Sequence, residues 1–119
     1  MPQPVVGILT DDAKSYSRPR FTEEAAALGL TTRFLDPSHF DLLVDAKQLK
    51  TFYRNRPLPA PAAFMARTGS DTGRFAQAII DGYSVIEVNS GPGFEGFEKA
   101  TGINVAAEIL RYTRFRLGM

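Results

Sequence analysis

The sequence predicts an α/β domain with a mainly parallel sheet of about four strands, flanking helices and one β-hairpin. Residues 5–10 form a continuous apolar, β-branched run, which is typical of a strand buried on both faces of a parallel sheet. Apolar runs of strand length then alternate with segments of helical periodicity, an order that favours right-handed crossovers. The length of 119 residues suits one compact domain, so we expect residues 1–119 to form a single unit.

The first third of the chain supplies two strands and a helix. The strand over residues 5–10 is followed by a helix over about residues 19–28, for which Ser17 is the expected N-cap. Gly29 is expected to end this helix. Residues 31–35 then form the second strand, which an Asp-Pro pair terminates.

A β-hairpin and a second round of alternation follow. Residues 42–44 and 49–53 are short apolar runs joined by a polar connection, a pattern that predicts paired antiparallel strands. The other expected elements are a strand over residues 62–66, a helix beginning at Ser70 or Asp71, a strand over 83–89, a Gly-rich loop over 90–96 and a helix over about 103–117.

Composition excludes several kinds of site. Lys and Arg number 14 and Asp and Glu number 13, so the net charge of +1 makes nucleic acid an unexpected partner. The absence of cysteine excludes disulfides, thiolate nucleophiles and Cys-containing zinc sites. With neither a basic leader nor an apolar stretch near the roughly 18 residues that a span needs, we expect a cytoplasmic protein without a membrane partner.

The most distinctive polar pattern is Glu87-Val88-Asn89 at the end of the fourth predicted strand. Alternate strand residues share a face, so a carboxylate and an amide oxygen lie side by side, a pairing that suits Mg²⁺. The alternative is an ordinary strand end with one hydrogen-bonded Asn. Arg67, at the end of the third strand of the sheet, is either a clamp for phosphate or carboxylate or a surface charge.

The Gly-rich loop is formally a G-x-G-x-x-G sequence over residues 91–96. A dinucleotide site needs this loop to open directly into a helix, whereas Pro92 lacks an amide hydrogen and Gly102 interrupts the segment that follows. We therefore interpret the loop as a turn that requires glycine backbone angles.

Two stretches of the chain resemble the RimK-like branch of the ATP-grasp ligases, which join a carboxylate to an amine through an acyl phosphate. Residues 4–17, 34–37 and 65–70 read PVVGILTDDAKSYS, FLDP and MARTGS and are similar to the N-terminal, Rossmann-like pre-ATP-grasp domain of that family. Residues 81–107 read DGYSVIEVNSGPGFEGFEKATGINVAA and resemble the C-terminal end of the ATP-grasp core. The resemblance thus assigns residues 1–80 to the first unit and residues 81–119 to the second.

The resemblance implies ATP and Mg²⁺ as cofactors, with Glu87 and Asn89 as metal ligands. The middle of the family's core, which holds the nucleotide, is missing between the two stretches. The chain is therefore expected to be a miniature or internally deleted member that is not a competent ligase alone. ATP and Mg²⁺ rest on the resemblance only, and the alternative is that this chain holds no cofactor. No catalytic residue is assigned.

The three loops at the carboxyl edge of the predicted sheet form the expected binding site. Open α/β sheets bind ligands at that edge, so residues 15–17, 67–70 and 89–93 are expected to share a shallow polar crevice. Its expected substrate-binding residues are Ser17, Arg67, Ser70, Asn89 and Ser90.

Two other functions remain open. The chain could be a stand-alone peptide-binding or carboxylate-binding module that docks on a full-length ligase or an acidic peptide, or a deletion product with no function of its own. We also expect a homodimer, because the second stretch carries more apolar side chains than a small domain needs. They are Phe94, Phe97, Ile103, Ile109, Tyr112 and Phe115.

Overall fold

The computed structural model describes residues 3–11, 14–44, 49–67, 76–80, 83, 86–89 and 94–119. Its strands are β1 (Val5–Leu9), β2 (Thr31–Leu35), β3 (Phe40–Val44), β4 (Leu49–Tyr53), β5 (Arg56–Pro57), β6 (Ala63–Ala66) and β7 (Ile86–Asn89). Its helices are α1 (Ser17–Ala27), α2 (the helical residues 76–80), α3 (Glu95–Thr101) and α4 (Val105–Arg116), with a 3₁₀ turn at Pro37–His39.

Four strands form a parallel sheet in the order β2-β1-β6-β7, which confirms the predicted fold class. Strand β1 lies between two neighbours, and four of its five residues are buried, as its continuous apolar sequence requires. The register pairs Leu9 with both Leu35 and Ala66, and Ala66 with Asn89. The carboxyl ends of all four strands therefore meet at one edge of the sheet.

The predicted hairpin is confirmed as β3 and β4, and β5 extends it to a three-stranded antiparallel sheet. Only Arg54 and Asn55 join β4 to β5, and their φ angles are 50° and 66°. A two-residue hairpin loop needs this left-handed backbone because its twist matches that of the strands. Asn adopts such angles more readily than most residues, whereas Arg does not.

The apolar side chains form two clusters. One joins α1, α4 and one group of β1 and β6 residues, and its buried members are Val6, Ile8, Phe21, Ala25, Leu30, Met65, Phe94, Ala106 and Leu110. The other joins α2 to the hairpin side, and its buried members are Leu9, Leu35, Phe40, Phe64, Ala76, Ile79 and Ile80. The central strand thus contributes to both clusters, as a strand covered on both faces must.

The helices differ from the prediction in three places. Tyr16, which has helical backbone angles, is the N-cap of α1 and makes no capping side-chain bond, so the prediction that Ser17 caps this helix is wrong. Gly96 belongs to α3 rather than to a loop. This helix covers residues 95–101 and ends at Gly102, whose backbone is left-handed. The last helix begins at Val105, where the Asn104 side chain caps it by accepting from the Ala107 amide at 3.0 Å.

The apolar residues of the second stretch separate into two groups. Phe94 is buried in the first cluster and Ile109 packs against it, so these two stabilise the domain itself and are not surplus. Phe97, Ile103, Tyr112 and Phe115 are exposed, Phe115 to 76%. The predicted start of the second helix and most of the Gly-rich loop lie outside the described residues.

Candidate functional site

The candidate site lies at the carboxyl edge of the parallel sheet, where Arg67 follows β6. The Arg67 amide donates to the Leu9 carbonyl at 2.8 Å, so the chain is still held against β1 as it leaves the strand. This edge is where open α/β sheets place their ligand sites, because the loops after parallel strands converge there.

The Arg67 guanidinium lies over two aromatic rings. Its carbon is 5.4 Å from the centroid of the Phe21 ring and 5.1 Å from that of Phe94, and the two rings meet edge to face at 5.6 Å. Burial lowers the pKa of Arg67 from its ordinary value, although the side chain stays charged at neutral pH. Phe21 comes from α1 and Phe94 from the second stretch, so this cation is held between both parts of the chain.

The loop before α1 lies beside the same aromatic residue. The Tyr16 ring meets Phe94 edge to face at 6.3 Å, and the hydroxyl oxygens of Ser15 and Ser17 are 3.4 Å apart. Ser17 is buried in the first turn of α1. Two of the three loops expected to share a crevice therefore contact one residue, Phe94.

The third loop is described only in part. Asn89 and Glu87 lie on β7, where the backbone of Asn89 pairs with Ala66, and Ser70 and Ser90 lie outside the described residues. A carboxylate and an amide are fewer oxygen ligands than Mg²⁺ takes from a protein and its substrate together. Among the described residues there is no group of three or more acidic or His side chains placed to hold a metal. Glu87 and Asn89 as metal ligands stay a prediction.

A buried carboxylate that sequence reasoning missed lies next to this edge. Glu98 on α3 accepts from the Tyr16 hydroxyl at 2.9 Å, from Arg20 at 3.0 and 3.3 Å, and from the Ala106 amide at 3.2 Å. Arg20 also donates to the Asn104 side chain at 2.8 Å. We refer to Tyr16, Arg20, Glu98 and Asn104 as the Glu98 network. It connects the loop before α1 to the α3–α4 connection.

The network shifts the ionisation of its members. The hydrogen bond from Arg20 is the main cause that lowers the pKa of Glu98 to about 2, against the opposing effect of burial. The same bonds raise the pKa of Arg20 and of Tyr16 above their ordinary values. Glu98 is therefore an anion across the physiological range, and its hydrogen bonds hold α3 against α1.

Sequence patterns could not reveal this network, because Arg20 and Glu98 are 78 positions apart. One local signal was available, since Asn104 stands three residues before Ala107 in the pattern of a helix cap.

No helix in the described part of the chain is long and apolar enough to cross a membrane.

Two protein-family models match the chain. Residues 5–91 match the RimK PreATP-grasp domain, and residues 76–113 match the RimK-like ATP-grasp domain. The matches overlap in residues 76–91, so the chain passes directly from one to the other. The predicted resemblance is thereby confirmed at both of its ends.

Curated relatives give the same result. A probable alpha-L-glutamate ligase of Xanthomonas euvesicatoria pv. vesicatoria is 29% identical over 75 residues, which are 63% of this chain and 25% of the relative. A probable alpha-L-glutamate ligase 1 of Shewanella frigidimarina is 64% identical over 28 residues, which are 24% of this chain and 9% of the relative. The chain thus spans about a quarter or less of the relatives it matches.

Among solved structures, the macrocyclase MdnC of Microcystis aeruginosa MRC, bound with the precursor peptide MdnA, is similar to this chain. The TM-score is 0.39 at 15% identity, and the match covers 74% of this chain and 36% of that chain.

Proposed function

Because the chain belongs to the RimK-like ATP-grasp family, we propose that it is a carboxylate-binding member that does not perform ATP-dependent ligation unaided. The observation that carries the first half of this proposal is the position of Arg67, half-buried on two aromatic rings at the carboxyl edge of the sheet. The second half follows from the direct passage between the two family segments at residues 76–91.

Arg67 suits carboxylate recognition for a geometric reason. A guanidinium presents parallel N–H donors that match the two oxygens of a carboxylate, and stacking on Phe21 and Phe94 restricts its plane before a ligand arrives. Partial burial strengthens the interaction because fewer water molecules compete for the donors. Ser17, Ser70, Asn89 and Ser90 are proposed to add neutral hydrogen bonds around the ligand.

Ligation in this family implies ATP and Mg²⁺. Phosphoryl-transfer steps depend on groups that position the phosphates and neutralise their charge. The ATP-grasp match covers only residues 76–113, and the resemblance implies that the central part of the core, which holds the nucleotide, is missing from this chain. We therefore propose that Glu87 and Asn89 are remnants of a metal site and take part in no reaction step.

A docking role is the second function that we propose. The pre-ATP-grasp match covers residues 5–91, whereas the ATP-grasp match covers only residues 76–113. A chain that keeps the first unit can compete with, or add to, that unit in a full-length ligase of the family. We propose the cytoplasm as the place of this interaction, as the sequence predicts.

Calorimetric titration with glutarate, and with glutaramide as the uncharged control, tests the carboxylate site. We expect glutarate to bind and Arg67→Gln to weaken its binding by about tenfold or more, since charged hydrogen bonds contribute about 1.5–3 kcal/mol. Arg111→Gln, which removes the same charge from exposed α4, should leave binding unchanged. Equal binding of glutarate by both variants would contradict the assignment of Arg67.

Release of ADP tests the ligation half separately. The pure protein is incubated with ATP, Mg²⁺ and a panel of amino acids and acidic peptides, and ADP is measured against the Glu87→Ala variant. We expect no ADP above that of the variant. Release of ADP that the Glu87→Ala substitution abolishes would contradict this half of the proposal.

A further inference from the structure

A second candidate binding site lies beside the edge strand β2, in cavities that Arg67 does not line. It is a groove between β2 and the β4–β5 turn, made of a cavity of about 620 Å³ and a neighbouring one of about 220 Å³. The two cavities share Phe34, Tyr53 and Arg54. We refer to this surface, with its arginines 18, 33, 54 and 56, as the arginine groove.

The larger cavity of the groove is lined by Arg33, Arg54 and Arg56 and, among the described residues, by no acidic side chain. Among the described residues, none of the four arginines has an ion-pair partner within 4.0 Å. Asp36 and Asp11 also line the smaller cavity. The Asp36 carboxylate accepts from the Ser38 amide at 2.9 Å and the Ser38 hydroxyl at 2.8 Å and keeps its negative charge, so the positive charge of the groove is concentrated in the larger cavity.

Aromatic rings position the arginines. The guanidinium carbons of Arg33 and Arg54 lie 6.0 and 5.7 Å from the centroid of the Tyr53 ring, and that of Arg18 lies 4.6 Å from the Phe34 ring. The Tyr53 hydroxyl accepts from the Asp36 amide at 3.3 Å, which fixes the ring. The left-handed backbone at Arg54, unusual for this residue type, further restricts where its side chain can point.

The groove becomes apolar toward its other end. A third cavity, of about 160 Å³, shares Arg33, Leu35, Leu58 and Pro59 with the largest one and continues to Val5, Gly7 and Pro61. A ligand that follows the groove therefore meets cations first and apolar side chains next.

We propose that the arginine groove binds an extended acidic peptide, with its carboxylates on Arg33 and Arg54 and an apolar side chain at Leu58 and Pro59. Charge complementarity selects the carboxylates, because planar guanidinium groups pair with them in two parallel hydrogen bonds. Strand β2 is the last strand of its sheet, and peptides that bind as added strands use such edges. The apolar end disfavours a uniformly charged phosphate backbone, and Asp11 and Asp36 confine the carboxylates of the peptide to the larger cavity, which neither of them lines.

This site is separate from the carboxylate site proposed above, since Arg67 does not line any of the three cavities. Arg67→Gln should therefore leave peptide binding in the groove unchanged. The two proposals can fail independently.

Fluorescence anisotropy with a labelled peptide of alternating Glu and Leu tests the groove. The control ligands are the same peptide with Gln in place of Glu, inorganic phosphate as competitor, and labelled oligouridylate. We expect the Glu peptide to bind, the Gln peptide to bind at least about tenfold more weakly, and added salt to weaken the first more than the second.

Two double variants with equal loss of charge locate the binding. Arg33→Gln with Arg54→Gln should weaken the Glu peptide by at least about tenfold, whereas Arg111→Gln with Arg116→Gln on exposed α4 should not. The variant with Arg33→Lys and Arg54→Lys should bind more tightly than the Gln pair but more weakly than the parent protein, because Lys cannot pair with a carboxylate through two parallel bonds. Equal weakening by both Gln pairs, tighter binding of oligouridylate, or undiminished binding of the Gln peptide would overturn the proposal.

Discussion

Glu98 and Arg67 show how single charged side chains are stabilised in different ways in this domain. Glu98 is 8% exposed and has hydrogen-bond donors from two side chains and one backbone amide. Arg67 is half-buried with its guanidinium on the faces of two rings. A carboxylate with that many donors is a structural group, whereas Arg67 lies at the carboxyl edge of the sheet, where the ligand site is proposed.

Replacing Glu98 with Gln should destabilise the protein in a pH-dependent way. Its folded pKa of about 2 lies below the ordinary value of 4.5, so its contribution is present above about pH 5 and is lost as pH falls toward 2. We expect Glu98→Gln to cost about 2 kcal/mol near neutral pH and much less near pH 2–3. Urea unfolding followed by circular dichroism measures both values.

Glu108→Gln is the matched control for that measurement. Glu108 is an exposed carboxylate that pairs with Arg111 on the same helix, and such pairs contribute about 0.5 kcal/mol or less. A Glu98→Gln penalty that is the same at both pH values, or no larger than that of Glu108→Gln, would show that the network does not stabilise the fold.

Helices and strands could be predicted where the signals are local. The apolar run of β1, the left-handed Gly29 after α1 and the terminator after β2 are all readable within a few residues. Helix α3 could not be predicted, because a seven-residue helix is marginal in isolation and this one depends on the bonds of Glu98 to distant groups. Phe94 and Ile109 also pack against residues that are distant in the sequence, so the sequence alone predicts them to be surplus apolar residues.

The candidate site could be predicted in its location but not in its detail. Parallel-sheet topology placed Arg67 and the loop before α1 at one edge from the sequence alone. The stacking of Arg67 on Phe94 needed the three-dimensional path of the second stretch, and no periodicity in the sequence encodes it. The predicted contributions of Ser70, Asn89 and Ser90 stay predictions.

Replacement of two glycines by alanine should change the free energy of unfolding in opposite directions. A Cβ at Gly7 in β1 would lie 3.0 Å from a carbon of the fully buried Phe64 ring and 3.3 Å from Pro61, whereas one at Gly96 in α3 would meet no described atom within 4 Å. We expect Gly7→Ala to destabilise by about 1–3 kcal/mol and Gly96→Ala to stabilise by about 0.5–1 kcal/mol.

Thermal unfolding of both variants against the parent chain measures this pair. Since Gly7 and Gly96 do not share contacts, their effects should add in the double variant. Loss of stability on Gly96→Ala would mean that α3 does not keep its helical conformation in solution.

The chain as a whole joins two family segments into one sheet. Strand β7 lies within residues 76–91, which both family models match, and it pairs in parallel with β6, so the sheet continues through the overlap of the two matches. The helices do the same, since the Arg114 guanidinium on α4 donates to the Leu28 carbonyl after α1 at 3.2 Å. These contacts explain how residues from both matched segments form a core on both faces of one sheet.

The homodimer expected from the sequence stays a prediction. Its proposed surface no longer includes Phe94 and Ile109, because these two pack in the core of the domain. Phe97, Ile103, Tyr112 and Phe115 are at least 49% exposed, and a second copy could cover them. We expect light scattering at micromolar concentration to give twice the 13.1 kDa mass of one chain, and Phe115→Glu to halve it. A parent protein with the mass of one chain at that concentration would exclude the dimer.

The first apolar cluster also constrains how the protein is made on the ribosome. Phe21 and Ile8 are synthesised early, but Phe94, Ala106 and Leu110 that cover them come from the last third of the chain. The nascent domain must therefore keep this side of its sheet exposed until α4 has left the exit tunnel, and partly folded chains with exposed apolar surface aggregate easily. Release of α4 from the ribosome is therefore the step that completes the cover over this face of the sheet.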